Sequence, residues 1–336
     1  MPDARPPYAD GMKALVLAAA MAVAGNALAD DALRRDAAGL FGQLAAPSGA
    51  PSAQAELGRA LFWDTRVSAD GKTACASCHF ARDWSADRRP FSPDARGALT
   101  SRHSPPVFNA MGQPTMRWLG DRKTGAEQAE GSLTGSLGFA SKDAALARLT
   151  QLDYSPGFRA AFPAGGLTIS NYGRALEAYQ ATLVTPAAFD RFLAGDDAAL
   201  DEKQKAGLRR FMSTGCAGCH NGTLLGGTMF QKFGVVKDYW LETKSAKPDV
   251  GRVAFTKKEE DRYFFRVPML RNVAKTAPYF HDGSVAELDR AVRVMAAVQL
   301  GRGPDDAAVA EIVAFLESLT GAIPANYAPP GKRPAL

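Results

Sequence analysis

All four cysteines of the chain lie in two short windows of one form, Cys75-Ala-Ser-Cys78-His79 and Cys216-Ala-Gly-Cys219-His220. A C-x-x-C pair is too tightly spaced for an ordinary structural disulfide. A zinc site would need its second pair about 15–20 residues further on, whereas Cys78 and Cys216 are 138 positions apart. A thioredoxin-like motif would need a βαβ setting that the flanking sequence does not offer. The pattern that remains is c-type haem attachment. Two thiols on one helical turn reach the two vinyl groups of one porphyrin, and the next residue places an imidazole under the iron. Cys75, Cys78, Cys216 and Cys219 are therefore the expected attachment points of two covalently bound haem c groups, with His79 and His220 as proximal ligands.

A chain of 336 residues with 46% hydrophobic content can bury a real core, and its length favours two domains. The text around each window repeats one order: helix, C-x-x-C-H, a long Gly/Pro-rich loop, then helices. Tyr172, Leu176, Tyr179 and Leu183 fall on one face of a helix, Leu146 and Leu149 suit a helix capped near Ser141, and Leu208, Phe211 and Met212 suit a helix entering the second window. Ser284 with Glu287 reads as a capping box for a helix with Val285, Leu288, Val292 and Met295 on one stripe. A last helix is expected over 305–320, closed by Gly321. Period-two alternation is scarce, and 32 glycines and 21 prolines imply much loop, so the expected class is mainly α.

The first 29 residues read as a signal peptide. Met12-Lys13 gives a charged start, Ala14 to Gly25 is an apolar run too short to span a bilayer, and Ala27-Leu28-Ala29 is a small-x-small cleavage site. Met12 is the expected start of translation. No later segment has the roughly 18 unbroken apolar residues of a membrane span, which points to an exported protein, periplasmic in a bacterium. The net charge of +5 is spread among nearly as many acids as bases. There is no basic stripe with interleaved aromatics, which argues against nucleic-acid binding.

Between and around the windows, "LGRALFWDTRVSADGKTACASCH", "SRHSPPVFNA", "EQAEGSL", "FDRFLAGD", "GCAGCHNG", "FFRVPMLRNVAKTAPYFHDGSVAELDRAVRVMAAVQLG" and "IVAFLESLTG" resemble the bacterial di-haem cytochrome c peroxidase superfamily. That superfamily includes the MauG-type enzymes, which oxidise side chains of another protein. The resemblance covers about residues 55–321. It implies two cytochrome c-like domains, each with one haem and long loops. The expected division is a signal peptide (1–29), an irregular lead-in (30–54), an N-terminal peroxidatic domain (55–195), a C-terminal electron-transfer domain (196–325) and a tail (326–336). A homodimer is also compatible with the family.

The resemblance assigns roles residue by residue. Met295, in "VRVMAAVQLG", matches the distal ligand of the electron-transferring haem, where the MauG type carries tyrosine. A thioether opposite imidazole raises the potential. Trp118 matches the tryptophan between the haems, with packing at a domain interface as its plainer role. Thr276 and Pro278 match carbonyl ligands of an interdomain calcium, but His103 stands where an asparagine is usual and an imidazole lacks the oxygen that calcium prefers. His103 could instead bond a haem propionate, and His281 is a further family position. The loop Ala81 to Thr100 holds no histidine to close the N-terminal iron. Gln128 matches a catalytic position, but Gly138 and Phe139 stand where Glu and Met belong, leaving Glu130 or Asp121 as substitute acids.

Three functions follow. The first is reduction of hydrogen peroxide with electrons from a small redox protein, a cytochrome c or a cupredoxin. The second is MauG-type oxidation of an aromatic side chain on a protein substrate. The third is non-enzymatic electron transfer or sensing.

Overall fold

The computed structural model describes residues 30–331; the expected signal peptide and the last five residues lie outside them. Its helices are α1 (30–40), α2 (Ala53–Trp63), α3 (Gly125–Thr134), α4 (Lys142–Gln151), α5 (Ser155–Ala161), α6 (Ile169–Ala181), α7 (Ala188–Leu193), α8 (Glu202–Ser213), α9 (Tyr239–Thr243), α10 (Val253–Thr256), α11 (Leu288–Leu300) and α12 (Asp306–Glu317). Two short antiparallel strands, β1 (Phe230–Lys232) and β2 (Phe264–Arg266), pair with Phe230 opposite Arg266.

The two halves are built alike. α2 crosses α6, and α8 crosses α12. Each of the four begins where a side-chain oxygen accepts an otherwise unpaired backbone N–H: Ser52, Thr168, Asp201 and Asp305. At each crossing a glycine lets the backbones touch. A Cβ on Gly58 would overlap the Ala175 carbonyl, and one on Gly207 would overlap the Glu311 carbonyl. After each cysteine turn, an asparagine in the left-handed region opens a further 3-10 turn: Asn109 (φ 61°) before Ala110–Gly112, and Asn272 (φ 64°) before Val273–Lys275. Their backbone N–H groups donate to Leu183 and Leu319, each just beyond the crossing helix.

One core gathers Leu61, Phe62, Phe108, Leu133, Phe158, Tyr172 and Leu176; a second gathers Phe189, Leu208, Phe211, Ile312 and Phe315. The linker between them is pinned from both sides, because Thr185 Oγ1 accepts from Asn109 Nδ2 (2.8 Å) and Asn272 Nδ2 (2.9 Å). Phe189 and Phe192 of α7 already pack in the second core, so the chain changes core ahead of residue 196.

The chain ends are exchanged between the halves. Residues 30–54 are not an irregular lead-in throughout. Residues 30–40 are helical, and Leu33, Ala37 and Phe41 enter the second core. The i, i+4, i+8 spacing of those three residues supplies the apolar stripe. The C-terminal Tyr327 enters the first core.

α11 also differs from the sequence expectation. It starts at Leu288, with Glu287 as an N-cap that makes no side-chain bond. Ser284 lies outside it, because Tyr279 and Val285 pair as a backbone bridge that holds the preceding turn. Its fully buried stripe is Ala291, Val294 and Val298, which leaves Met295 off that stripe and partly buried.

Candidate haem sites and the seam between them

His79 and His220 sit in matching sockets. His79 Nδ1–H donates to the Ser85 carbonyl (3.0 Å), and His220 Nδ1–H donates to the Leu225 carbonyl (3.2 Å). A carbonyl only accepts, so each bond fixes the proton on Nδ1 and leaves the Nε2 lone pair for a metal. Each accepting residue lies in the left-handed region, Ser85 at φ 65° and Leu225 at φ 50°. A non-glycine residue held there costs about 1–3 kcal/mol. The first turn is secured by the Ser85 hydroxyl, which accepts from the N–H groups of Val107 and Phe108 (both 3.0 Å).

An aromatic ring flanks each imidazole at 6.4 Å between centroids, Phe62 beside His79 and Phe211 beside His220. Burial keeps both imidazoles neutral: it lowers the pKa of His79 and brings that of His220 down to about 4. The cysteines precede the histidines on 3-10 turns, Cys75–Ser77 and Cys216–Gly218, and none of the four is tied up in a disulfide. Burial pushes Cys75 up to about 12 and raises Cys78 and Cys216.

The seam between the halves centres on Trp118. Its indole N–H donates to the His103 carbonyl (2.8 Å) and its own carbonyl accepts from Arg266 N–H (2.8 Å) on β2. Its ring meets His281 edge-on at 6.3 Å, and His281 stacks on Phe265 at 4.2 Å. His103 N–H in turn donates to the His281 carbonyl (2.7 Å). Sequence reasoning missed Arg266, which is only 6% exposed. Its Nε donates to the Arg117 carbonyl (2.9 Å), but its Nη1 has no partner, and burial brings its pKa down to about 10. A buried guanidinium facing no carboxylate is costly. The donor set here fits an anionic group such as a haem propionate. The buried Nε2 atoms of His103 and His281 likewise make no hydrogen bond, although Asp249 Oδ2 stands 3.9 Å from that of His281.

The remaining sequence candidates are more scattered. Gln128 lies partly buried on α3. Gly138 has φ 77°, and a Cβ there would stand 3.0 Å from that of Ala95, so the turn is shaped for glycine. Of the two substitute acids, Glu130 pairs with Lys142 (2.9 Å), and Asp121 pairs with Arg117 (2.6 Å) and Arg122 (3.5 Å). Thr276 is buried and Pro278 partly so, while His103 Nδ1 bonds the Arg89 carbonyl (3.1 Å). Among the described residues no cluster of three or more His, Cys, Asp or Glu is arranged to hold a metal ion, and none of their helices is long and apolar enough to cross a membrane.

This architecture, two helical halves with matched histidine sockets, is that of the di-haem peroxidases. Residues 52–198 match the family of di-haem cytochrome c peroxidases. The chain is 45% identical over 280 residues to cytochrome c551 peroxidase of Pseudomonas aeruginosa, covering 81% of this chain and 80% of that one. It is 30% identical over 304 residues to the methylamine utilization protein MauG of Methylorubrum extorquens, covering 82% and 83%. A crystal structure of a MauG-like protein associated with microbial copper homeostasis superposes with a TM-score of 0.73 at 26% identity, covering 87% of this chain and 97% of that one. The chain belongs to the di-haem cytochrome c peroxidase and MauG superfamily, and it is an oxidoreductase of the di-haem peroxidase type with haem as its cofactor.

Proposed function

We propose that this protein is an exported, periplasmic peroxidase that reduces hydrogen peroxide to two molecules of water, using two protons and two electrons from a small redox protein. The observation that carries this reading is the pair of matched histidine sockets with Trp118 bonded to both halves across the seam. Cys75 and Cys78 would attach one haem and Cys216 and Cys219 the other, with His79 and His220 as iron ligands. Bound haem supplies the redox chemistry. The chain fixes both imidazoles through Ser85 and Leu225 and offers Arg266 to an anionic group, and the partly buried Met295 would supply a thioether to the second iron. Trp118 links the halves as an electron relay.

Proton handling is the departure from the family pattern. The left-handed φ of 77° at Gly138 disfavours any side chain there, and Glu130 and Asp121 are both paired with cations, so Gln128 is the family-matched polar group left on α3. Lack of a positioned acid-base group costs about 10²–10⁴ in rate, and turnover is expected to be correspondingly slow. Oxygen donors suit calcium and His103 supplies none. A calcium at Thr276 and Pro278 would therefore lack the side-chain oxygen usual at position 103.

The test is peroxide-dependent oxidation of reduced cytochrome c or cupredoxin by the purified, haem-loaded protein. Absence of turnover with every such donor would remove the peroxidase reading. The second reading, MauG-type oxidation of a partner protein, is favoured by the 0.73 superposition on a MauG-like protein and by the lack of histidine in residues 81–100. It predicts an oxidised state, formed with peroxide, that only a co-purified protein discharges. A protein that showed no spectral change with peroxide would be an electron carrier.

A further inference from the structure

Residues 321–329 leave the second half and run over the first. The root is fixed in the second half: Gly321 N–H donates to Asn272 Oδ1 (3.0 Å), and a Cβ at Gly321 would overlap the Thr185 carbonyl. From there the segment touches the His79 socket twice. The Gly321 carbonyl accepts from the Trp84 indole N–H (2.8 Å), and Trp84 directly precedes Ser85, whose carbonyl receives His79 Nδ1–H. Six residues on, the Tyr327 hydroxyl donates to the His79 carbonyl (2.7 Å).

The Tyr327 ring is fully buried between Phe108 (4.5 Å), Trp63 (5.3 Å) and Phe62 (5.8 Å). The backbone on either side is tied down as well. The Asn326 carbonyl accepts from Tyr179 Oη (3.0 Å), and Arg59 donates to the carbonyls of Ala328 (2.7 Å) and Pro329 (3.2 Å). A ring clamped this way has no freedom to seek another acceptor, so its hydroxyl is committed to one carbonyl.

We propose that Tyr327 is a positioning residue for the peroxidatic haem: it holds the main chain of His79 while Ser85 holds its ring, on a strap rooted in the opposite half. This rests on His79 being an iron ligand. It makes the geometry of the first iron site depend on where the second half places Gly321.

The test is Tyr327→Phe in the full, haem-loaded chain, which keeps the ring and removes the hydroxyl. The readouts are the iron–histidine stretching band of the reduced N-terminal haem, the spectrum of the C-terminal haem and the rate constant for reaction with peroxide. The expected result is a shifted band, an unchanged C-terminal spectrum and a roughly two- to tenfold lower rate constant, the range one hydrogen bond can impose. Phe158→Leu is the packing control: its ring lies in the same core, stacked on Phe162 at 6.3 Å, and its loss should lower stability with the band unmoved. Arg59→Ala, which loosens the strap but keeps the hydroxyl, should give a smaller shift in the same direction and decides the matter if Tyr327→Phe fails to load haem. An unmoved band in Tyr327→Phe, an equal shift in Phe158→Leu, or, where Tyr327→Phe loads no haem, an unmoved band in Arg59→Ala overturns the proposal. A wild-type protein inert to peroxide would sink the proposed function, yet the band comparison would still decide the role of Tyr327.

Discussion

Removing the Asp190 carboxylate should destabilise the second half severely. Both of its oxygens are fully used. Oδ1 accepts from Arg271 Nη2 (2.9 Å) and Leu44 N–H (2.6 Å), and Oδ2 accepts from Arg271 Nη1 (2.7 Å) and Ala187 N–H (2.7 Å). Arg271 is 1% exposed and also donates from Nε to the Thr223 carbonyl (2.9 Å), three residues behind His220. One ion pair thus joins α7, the segment after α1 and the turn of the second haem socket. Burial lowers the Arg271 pKa, opposed by the Asp190 charge. Asp190→Ala strands that cation in a dry site, at a cost of about 3–5 kcal/mol. Replacing both partners, as in Asp190→Ala with Arg271→Met, removes the stranded charge and should lose less than Asp190→Ala alone. Guanidinium unfolding followed by far-ultraviolet dichroism and haem absorbance measures both losses. The reasoning is refuted if Asp190→Ala stays within about 1 kcal/mol of wild type, or if the double variant loses the sum of the two single ones.

Four further outcomes are expected. Gly207→Ala should cost at least the ~1–3 kcal/mol of an overpacked contact, because its methyl would overlap the Glu311 carbonyl; thermal unfolding checks it, and Gly58→Ala should behave alike. Asp70, opposed by burial but held by N–H groups of Lys72 and Thr73 and by the Ser68 and Thr73 hydroxyls, has its pKa lowered from 3.8 to about 2. Its anchoring of the loop before Cys75 is therefore complete above about pH 4 and is lost as pH falls through about 2. Amide exchange at Lys72 and Thr73 should be protected at pH 3 in wild type but not in Asp70→Asn. Met295→His should lower the potential of the C-terminal haem, since a thioether favours ferrous iron more than imidazole does; an unchanged potential in spectroelectrochemistry would dismiss Met295 as the ligand. If Thr276 and Pro278 bind calcium, chelator-treated protein should recover peroxide turnover on calcium addition, and identical rates would remove the site.

What the sequence made legible was whatever is written locally. The two C-x-x-C-H windows stand out by spacing alone, and the cap expected near Ser141 marks a helix start where the structure has it; the last helix, expected over 305–320, begins at the Asp305 cap but ends at Glu317, short of Gly321. Tyr172, Leu176, Tyr179 and Leu183 are all buried, as their spacing implies. Where two local signals competed, the sequence misled. Ser284 and Glu287 have capping-box spacing, but the Tyr279–Val285 bridge claims that backbone first, so α11 begins later.

The parts that escaped are those decided by distant partners. Ser85 and Leu225 carry no glycine-like mark of a left-handed turn, yet their carbonyls orient both histidines because long-range packing holds them there. The repeated asparagine of "FNA" and "RNV" marks a different matched turn, the 3-10 turns after Asn109 and Asn272. Arg266 reads as an ordinary strand cation until its burial with an unpartnered Nη1 marks it as a donor that would suit an anion. The exchanged ends are the furthest from local signals. Leu33, Ala37 and Phe41 serve the second core and Tyr327 the first, although each lies nearer in sequence to the other. Neither half can therefore close its core from a contiguous stretch, and the His79 socket is finished by residues that follow the second haem motif by a hundred positions. A two-domain division drawn at residue 196 describes the duplication of the chain but not the units that complete each iron site.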